Sequence, residues 1–381
     1  MPFDLKKPIL VKGVTKDYSW GKLGANSLAA KLSGNKINPK TTYAELWFGT
    51  HKNGISRIEQ DGINGDLTQA IKDLPFLLKV LSIDSALSIQ AHPNKEQALK
   101  LNKLNPARYG DSNHKPEIAF PITDLTLLYG FKSKTEIDLV LKEVPEFKDL
   151  LPDLEIQTED FKKFCSALFN LTQSEAGKEK IKTASKELIK RLNNSQNFKP
   201  EEDWILKTSA LYPRDIGLFL FYLMNLVTLK PGEAIFIEPG VLHAYLKGDA
   251  VEVMATSDNV VRAGLTQKER DIPALIEILD FKMGLYSNMH GPIIYGSKGD
   301  FGLEYNNLAK EFSVTVIRDH DKTLSIDTNG KFQILFSLNA EGEIIGQRFN
   351  TNFQPGNVFF LSDSISFYQL KLTQGEVYLI R

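Results

Sequence analysis

Apolar and polar positions follow two rhythms along this chain. Over residues 87–93 they alternate: Leu87, Ile89 and Ala91 form one face, and Ser88, Gln90 and His92 the other. A period of two predicts a half-buried strand, ended by Pro93 and followed by a short helix over 94–104. Residues 75–81 are apolar almost throughout and predict a buried strand. Residues 229–245, LKPGEAIFIEPGVLHAY, predict a strand over 234–237 between two Pro-Gly turns, then an extended run over 241–245. Val241, His243 and Tyr245 share a face of that run. Another strand is predicted over 250–255, with Glu252 on one side and Val251 and Val253 on the other. After the turn Ser257-Asp258-Asn259 the chain extends again through Arg262.

The second rhythm is helical. Phe161, Phe164, Cys165, Leu168 and Phe169 recur at i, i+3, i+4, i+7, i+8. Residues 174–192, rich in Lys and Glu, predict another helix, and Pro200 before Glu201 and Glu202 opens a third. A helical block over 132–213 is therefore expected between β-rich parts, and Cys165 on its apolar stripe reads as core. From about residue 291 to the end, short strands and turns predict a sandwich or barrel. The segments YSWG (18–21) and AELWFGTH (44–51) set aromatics beside glycine and read as core anchors and turns.

Residues 354–367 repeat the pattern of 230–243. Pro355-Gly356 coincides with Pro231-Gly232, the apolar run coincides, a second turn follows, and Phe367 falls where His243 stands. The expectation is two copies of one small β-fold. Only the first could use this position for a metal, and Phe367 would be an aromatic core residue in the second.

Bulk properties narrow the function classes. At 381 residues, 42% hydrophobic and 24% charged, the chain has the composition of a soluble globular protein of two or three domains. A net charge of -1 provides no field for nucleic acid or an anionic membrane. A single cysteine excludes a disulfide framework and a thiolate-rich zinc site. The N-terminus has no signal-type apolar core, and the longest apolar run, 216–227, is too short to span a bilayer. A cytoplasmic protein is expected, and the neutral charge and lack of a coiled coil suit a monomer.

Gln90 and His92 offer two donor atoms from one strand face. In NHKPEIAF, Pro116 biases Lys115 toward extended geometry, so Lys115 and Glu117 share a face. Glu117 stands at the edge of the apolar Ile118-Ala119-Phe120. Gln90, His92, Glu117 and His243 make an N2O2 set that suits Zn2+ and accommodates Fe, Mn or Co. A glutamine oxygen is an uncommon zinc ligand and the spacing is no regular zinc motif. Pattern alone leaves core histidines and surface charges as the alternative.

The segments LSIQAHP, NHKPEIAF, PGEAIFIEPGVLHAY and GDAVEVMATSDNVVRAGLT, in this order and with YSWG and AELWFGTH ahead of them, resemble type I phosphomannose isomerases over nearly the whole chain. The resemblance implies a mainly β double cupin with an α-helical insertion. Its expected divisions are a catalytic cupin in two parts (1–131 and 214–285), the insertion (132–213), and a C-terminal cupin without a metal site (286–381). It implies one zinc per chain on Gln90, His92, Glu117 and His243. Arg262 is the implied active-site arginine, and Lys115 and Glu252 compete for the proton-transfer role. Ser88, His114, Tyr245, Asp258 and Lys268 are the substrate-side candidates, Lys268 and Ser88 at the phosphate end and His114 for ring opening. The implied reaction interconverts mannose 6-phosphate and fructose 6-phosphate through a cis-enediol, with a sugar phosphate as the partner molecule. Two competing readings are a metal-dependent cupin oxygenase and a non-catalytic sugar-phosphate-binding bicupin.

Overall fold

The computed structural model describes residues 2–152, 160–284, 293–294, 297–298, 302–306, 308–318 and 323–381. The expected division between residues 285 and 286 lies outside the described residues. The architecture is mainly β with a block of helices inserted. The site is carried by a branched sheet in which the long strand His243–Ala255 pairs with Phe76–Ile83, Glu117–Pro121, Leu125–Phe131 and Ile89–Ala91. Ile89–Ala91 pairs in turn with Val261–Gly264.

The predicted helices form at the expected places. Asn94 caps Lys95–Leu104 through a capping box: its side chain accepts the Gln97 N–H, and the Gln97 side chain accepts the Asn94 N–H. Phe161–Asn170 buries the whole predicted stripe, and Cys165 is fully enclosed within it. Burial holds that thiol well above its usual range, as expected of a packing residue. Helical structure does not stop at residue 213, because Gly217–Leu223 is also a helix. Every one of its residues is buried, so it is apolar all round and has no amphipathic period to read.

The helices pack against one side of the site-bearing strands. Ile89, Ala91, Ala244, Val261 and Ala263 share a core with Phe164, Leu168 and Phe219. Strand alternation then sends Gln90, His243 and Arg262 to the opposite side, into the barrel. The strand at Ile89 starts later than the pattern suggests, and Leu87 lines the cavity rather than this core.

Residues 1–131 contribute to both barrels. Ile9–Lys12 pairs with Val358–Leu361 on one side and Arg57–Gln60 on the other, so N-terminal strands complete a sheet built mainly from C-terminal ones. One apolar core, including Val11, Phe48, Val253, Phe336 and Tyr378, fills the space between the two barrels.

The repeat is present in three dimensions. Ala234–Ile237 and Val358–Leu361 begin at equivalent positions, as do His243–Ala255 and Phe367–Gln374. Gly232 and Gly356 both adopt positive φ, +102° and +85°, which a Pro-Gly turn of this kind requires. The expectation that Phe367 is a core residue is wrong: it is 50% exposed. In its strand Tyr368, Leu370 and Leu372 point inward instead, so the second copy turns the opposite face to its barrel. That barrel holds an apolar core that includes Ile317, Leu335, Phe359 and Leu379.

Candidate active site

In a regular strand His243 and Tyr245 would face away from Glu252 and Met254, because their separations are odd. Here all four face the barrel interior. Against Leu125–Phe131, one step from Leu127 to Thr126 is matched by two from Tyr245 to Lys247, which is a β-bulge. Gly248 follows at φ +135°, and a Cβ there would lie 2.6 Å from the Asp124 carbonyl oxygen. The bulge and the glycine invert the alternation. Two expected strands, 241–245 and 250–255, are therefore one continuous bent strand.

His92, Glu117 and His243 come from three different strands or strand ends and meet in the interior. The His92 Nε2 lies 3.4 Å from Glu117 Oε1, and the His243 Nε2 lies 3.6 Å from Glu117 Oε2. Their potential ligand atoms are all within 4.8 Å of one another, and the three residues are buried. Each imidazole is oriented from behind by a backbone carbonyl. The His92 Nδ1 is 2.9 Å from Asn259 O, and the His243 Nδ1 is 3.0 Å from Val241 O. Nδ1–H donates to the carbonyl, which leaves both Nε2 lone pairs aimed at a common point. Neither Nε2 nor Glu117 Oε2 has a hydrogen bond among the described residues. Three orphaned buried donors converging in this way fit a divalent cation. Gln90 is the cross-strand partner of both His243 and Arg262, so its amide enters the same space, where its oxygen accepts the Ser88 hydroxyl at 3.2 Å.

The charges around this point are buried and paired. Lys115 Nζ is 2.8 Å from Glu117 Oε1, and Lys79 Nζ is 3.0 Å from Glu252 Oε2. Burial raises the Glu117 carboxyl, but the Lys115 ammonium and the two imidazoles outweigh it and hold that group well below its usual range. For Glu252, burial wins over the attraction of Lys79, and its carboxyl is pushed up. Burial lowers His92, and it lowers His243 to about 4 with help from the neighbouring His92. Both are thus neutral and able to ligate at pH 7. In the metal-free protein a depressed histidine favours folding above the unfolded value near 6.5, and this contribution is lost as pH falls toward 4. For His243 the shift corresponds to about 3 kcal/mol. Denaturant unfolding between pH 7 and 4 should show a loss of about that size in the wild-type apoprotein relative to His243→Ala, a difference that cancels the opposite contribution of the raised Glu252 carboxyl. Equal profiles would contradict this environment.

A cavity of about 730 Å3 opens in front of the cluster, a size suited to a small-molecule substrate. Ser88, Tyr245, Asp258, Arg262 and Lys268 line it together with Gln90, Lys115, Glu117 and Glu252. The Arg262 guanidinium has no hydrogen bond or ion pair among the described residues, and burial lowers its basicity. Asp258 is engaged by His51, whose Nε2 is 3.1 Å away, and by the Asn53 amide at 3.2 Å. The hydrogen bond from His51 holds the Asp258 carboxyl down. His114 is placed apart from this lining, and its Nε2 lies 2.7 Å from Glu311 Oε1.

Several lining residues were not singled out from sequence. Lys79 is the clearest, and its signal was present: a lone lysine inside a fully buried apolar strand needs a partner. Glu252 supplies that partner and, with Glu45, keeps the ammonium charged against burial. Glu45, Trp47 and His51 also line the cavity, although AELWFGTH reads as core anchors. Nothing in the local pattern of that segment distinguishes a cavity wall from a core.

Comparison with known proteins gives a consistent match. The family model for the phosphomannose isomerase type I catalytic domain matches residues 9–134, and that for the type I helical insertion domain matches 144–224. A mannose-6-phosphate isomerase from Bos taurus is 42% identical over 307 residues, covering 70% of this chain and 72% of the relative. Mannose-6-phosphate isomerase 1 of Arabidopsis thaliana is 40% identical over 303 residues, covering 71% and 70%. Among solved structures, mannose 6-phosphate isomerase from Salmonella typhimurium, bound to substrate and to a zinc atom, superimposes with a TM-score of 0.85. That similarity covers 98% of each chain at 28% identity.

Proposed function

The chain belongs to the type I phosphomannose isomerases and is an aldose–ketose isomerase, and we propose that it interconverts mannose 6-phosphate and fructose 6-phosphate through a cis-enediol with one Zn2+ per chain. The observation that carries the metal part of this reading is the convergence of the orphaned His92 Nε2, His243 Nε2 and Glu117 Oε2. His92, Glu117, His243 and the Gln90 amide would hold the ion. Bound there, it supplies Lewis acidity toward the oxygens on C1 and C2 of the sugar.

The chain's own groups account for the rest. The two glutamates are pushed in opposite directions by their surroundings, a pattern that separates an ionised ligand from a proton carrier. Glu117 remains the anionic ligand. Glu252, raised by burial and held by Lys79, takes the proton from C2 and returns it to C1. The buried Lys115 ammonium donates toward the sugar oxygens. Arg262 is the cross-strand neighbour of Gln90, so its unpaired guanidinium stands beside the reacting carbons and offsets the negative charge that develops there. Lys268 and Ser88 meet the phosphate, Lys268 from the exposed rim. The buried positive side chains favour this reading over a cupin oxygenase, whose chemistry has no use for an anionic sugar pocket.

A coupled assay tests the reading directly. Mannose 6-phosphate should be converted to fructose 6-phosphate, and prolonged chelation should lower the rate at least about 100-fold, with zinc restoring it. Full activity in demonstrably metal-free protein would remove zinc from the mechanism.

A further inference from the structure

Asp215 precedes the helix Gly217–Leu223 and does not line the active cavity. Its carboxylate is 8% exposed and heavily used. Oδ1 accepts the N–H of Gly217 at 2.7 Å and that of Leu265 at 2.8 Å, and Oδ2 pairs with Arg270 Nη2. The same Arg270 nitrogen donates to the Thr266 carbonyl oxygen at 3.2 Å, and the Lys268 N–H donates to Thr266 Oγ1 at 3.0 Å. Leu265 sits at φ +50°, the left-handed region that a leucine occupies only when its surroundings impose it. Leu265 is also fully buried. The backbones are pressed together here: a Cβ on Gly264 would lie 2.7 Å from the Gly217 Cα.

This knot stands directly behind the rim of the cavity. The strand Val261–Gly264 carries Arg262, the chain bends at Leu265, and Thr266, Gln267 and Lys268 emerge on the cavity wall. If the acceptor on Asp215 were lost, a buried N–H would be left unsatisfied at the strained residue. Leu265 would relax toward negative φ, and the direction of the next three residues would change with it.

We propose that Asp215, together with Arg270, is a positioning residue for the anionic end of the substrate. It locks the left-handed turn that presents residues 266–268, so the segment leading into the last inserted helix sets phosphate affinity while the reacting end is left alone. The inference rests on the reading of Lys268 as part of the phosphate end.

Steady-state kinetics of the zinc-loaded enzyme test it. Asp215→Ala should raise KM for mannose 6-phosphate about tenfold and raise the inhibition constant of inorganic phosphate in parallel, with kcat changed less than about threefold and zinc per chain unchanged. Asp215→Asn, whose amide oxygen still accepts both N–H groups while its NH2 faces Arg270 without a hydrogen bond, should recover part of that affinity. If Asp215→Ala does not fold, Arg270→Gln decides, with a smaller rise of the same kind. Unchanged KM and phosphate inhibition in the folded variant would overturn the proposal. So would a fall in kcat as large as the fall in kcat/KM, which marks general damage. Loss of the underlying reading looks different: phosphate would then inhibit wild type and Lys268→Ala equally.

Discussion

Replacing His243 with alanine is expected to leave a folded protein that retains little zinc and has lost at least about a thousandfold in kcat/KM. The site offers two imidazoles, one carboxylate and one amide. Removing an imidazole leaves a set too weak to hold zinc in its ordinary tetrahedral geometry. The fold should survive, because among the described residues the His243 ring outside the cluster meets only the Val241 carbonyl, two residues away, and the edge of the Tyr245 ring. A small apolar side chain there also removes a buried Nε2 that has no hydrogen-bond partner among the described residues. Gln90→Ala should show a milder version, since it removes a neutral amide from the rim of the set. Zinc per chain by atomic absorption and the coupled assay measure both effects. Full occupancy and full activity in both variants would end the metal assignment.

The second large effect is expected at Glu252. Glu252→Gln keeps the shape of the side chain and removes its ability to carry a proton. It should lower kcat by about 10^2- to 10^4-fold, the range of general acid–base catalysis, and abolish exchange of the C2 proton with solvent. Zinc content should not change, because Glu252 is paired with Lys79 and not with the histidines. Lys115→Met makes the contrast. It removes the donor 2.8 Å from Glu117 and should slow turnover, yet C2 exchange should persist. If exchange vanishes in Lys115→Met and persists in Glu252→Gln, the two roles are reversed.

Burial explains why these two positions are informative. Four charged side chains, Lys79, Lys115, Glu117 and Glu252, are each less than a tenth exposed. Burying charge is costly even when it is paired, and a stable core of the same volume could be built from apolar residues. Such a cluster beside an open cavity is the signature of a site kept for chemistry.

Much of this was readable from residue order. A period of two located Ile89–Ala91, a short apolar run between two Pro-Gly turns located Ala234–Ile237, a period of 3.6 located Phe161–Asn170, and a stretch rich in Lys and Glu located Glu175–Asn193. The alternation at Ile89 put Gln90 and His92 on one face, which in the structure is the one turned away from the helices. Where the pattern carried no contrast, the reading failed. Gly217–Leu223 is buried on all sides, and Phe367 was assigned by alignment with His243 although its own strand alternates the other way.

Residue order specified the elements, the repeat and four side chains able to bind a cation, because local backbone preference and polarity are properties of neighbours in the chain; the side chains for an anionic sugar came from the resemblance of whole motifs to a known family. Assembly was needed for everything that depends on long-range register. The bulge at Tyr245–Lys247 and the positive φ of Gly248 bring His243 and Glu252 to one side of a single strand. Pairing across the sheet gives Lys79 its partner, and the contact from Asp215 fixes the turn before Lys268. Except for His243 and Glu252, which lie on one strand, these are unions of residues tens of positions apart, and only the packed sheet sets their distances and, through desolvation, their charges.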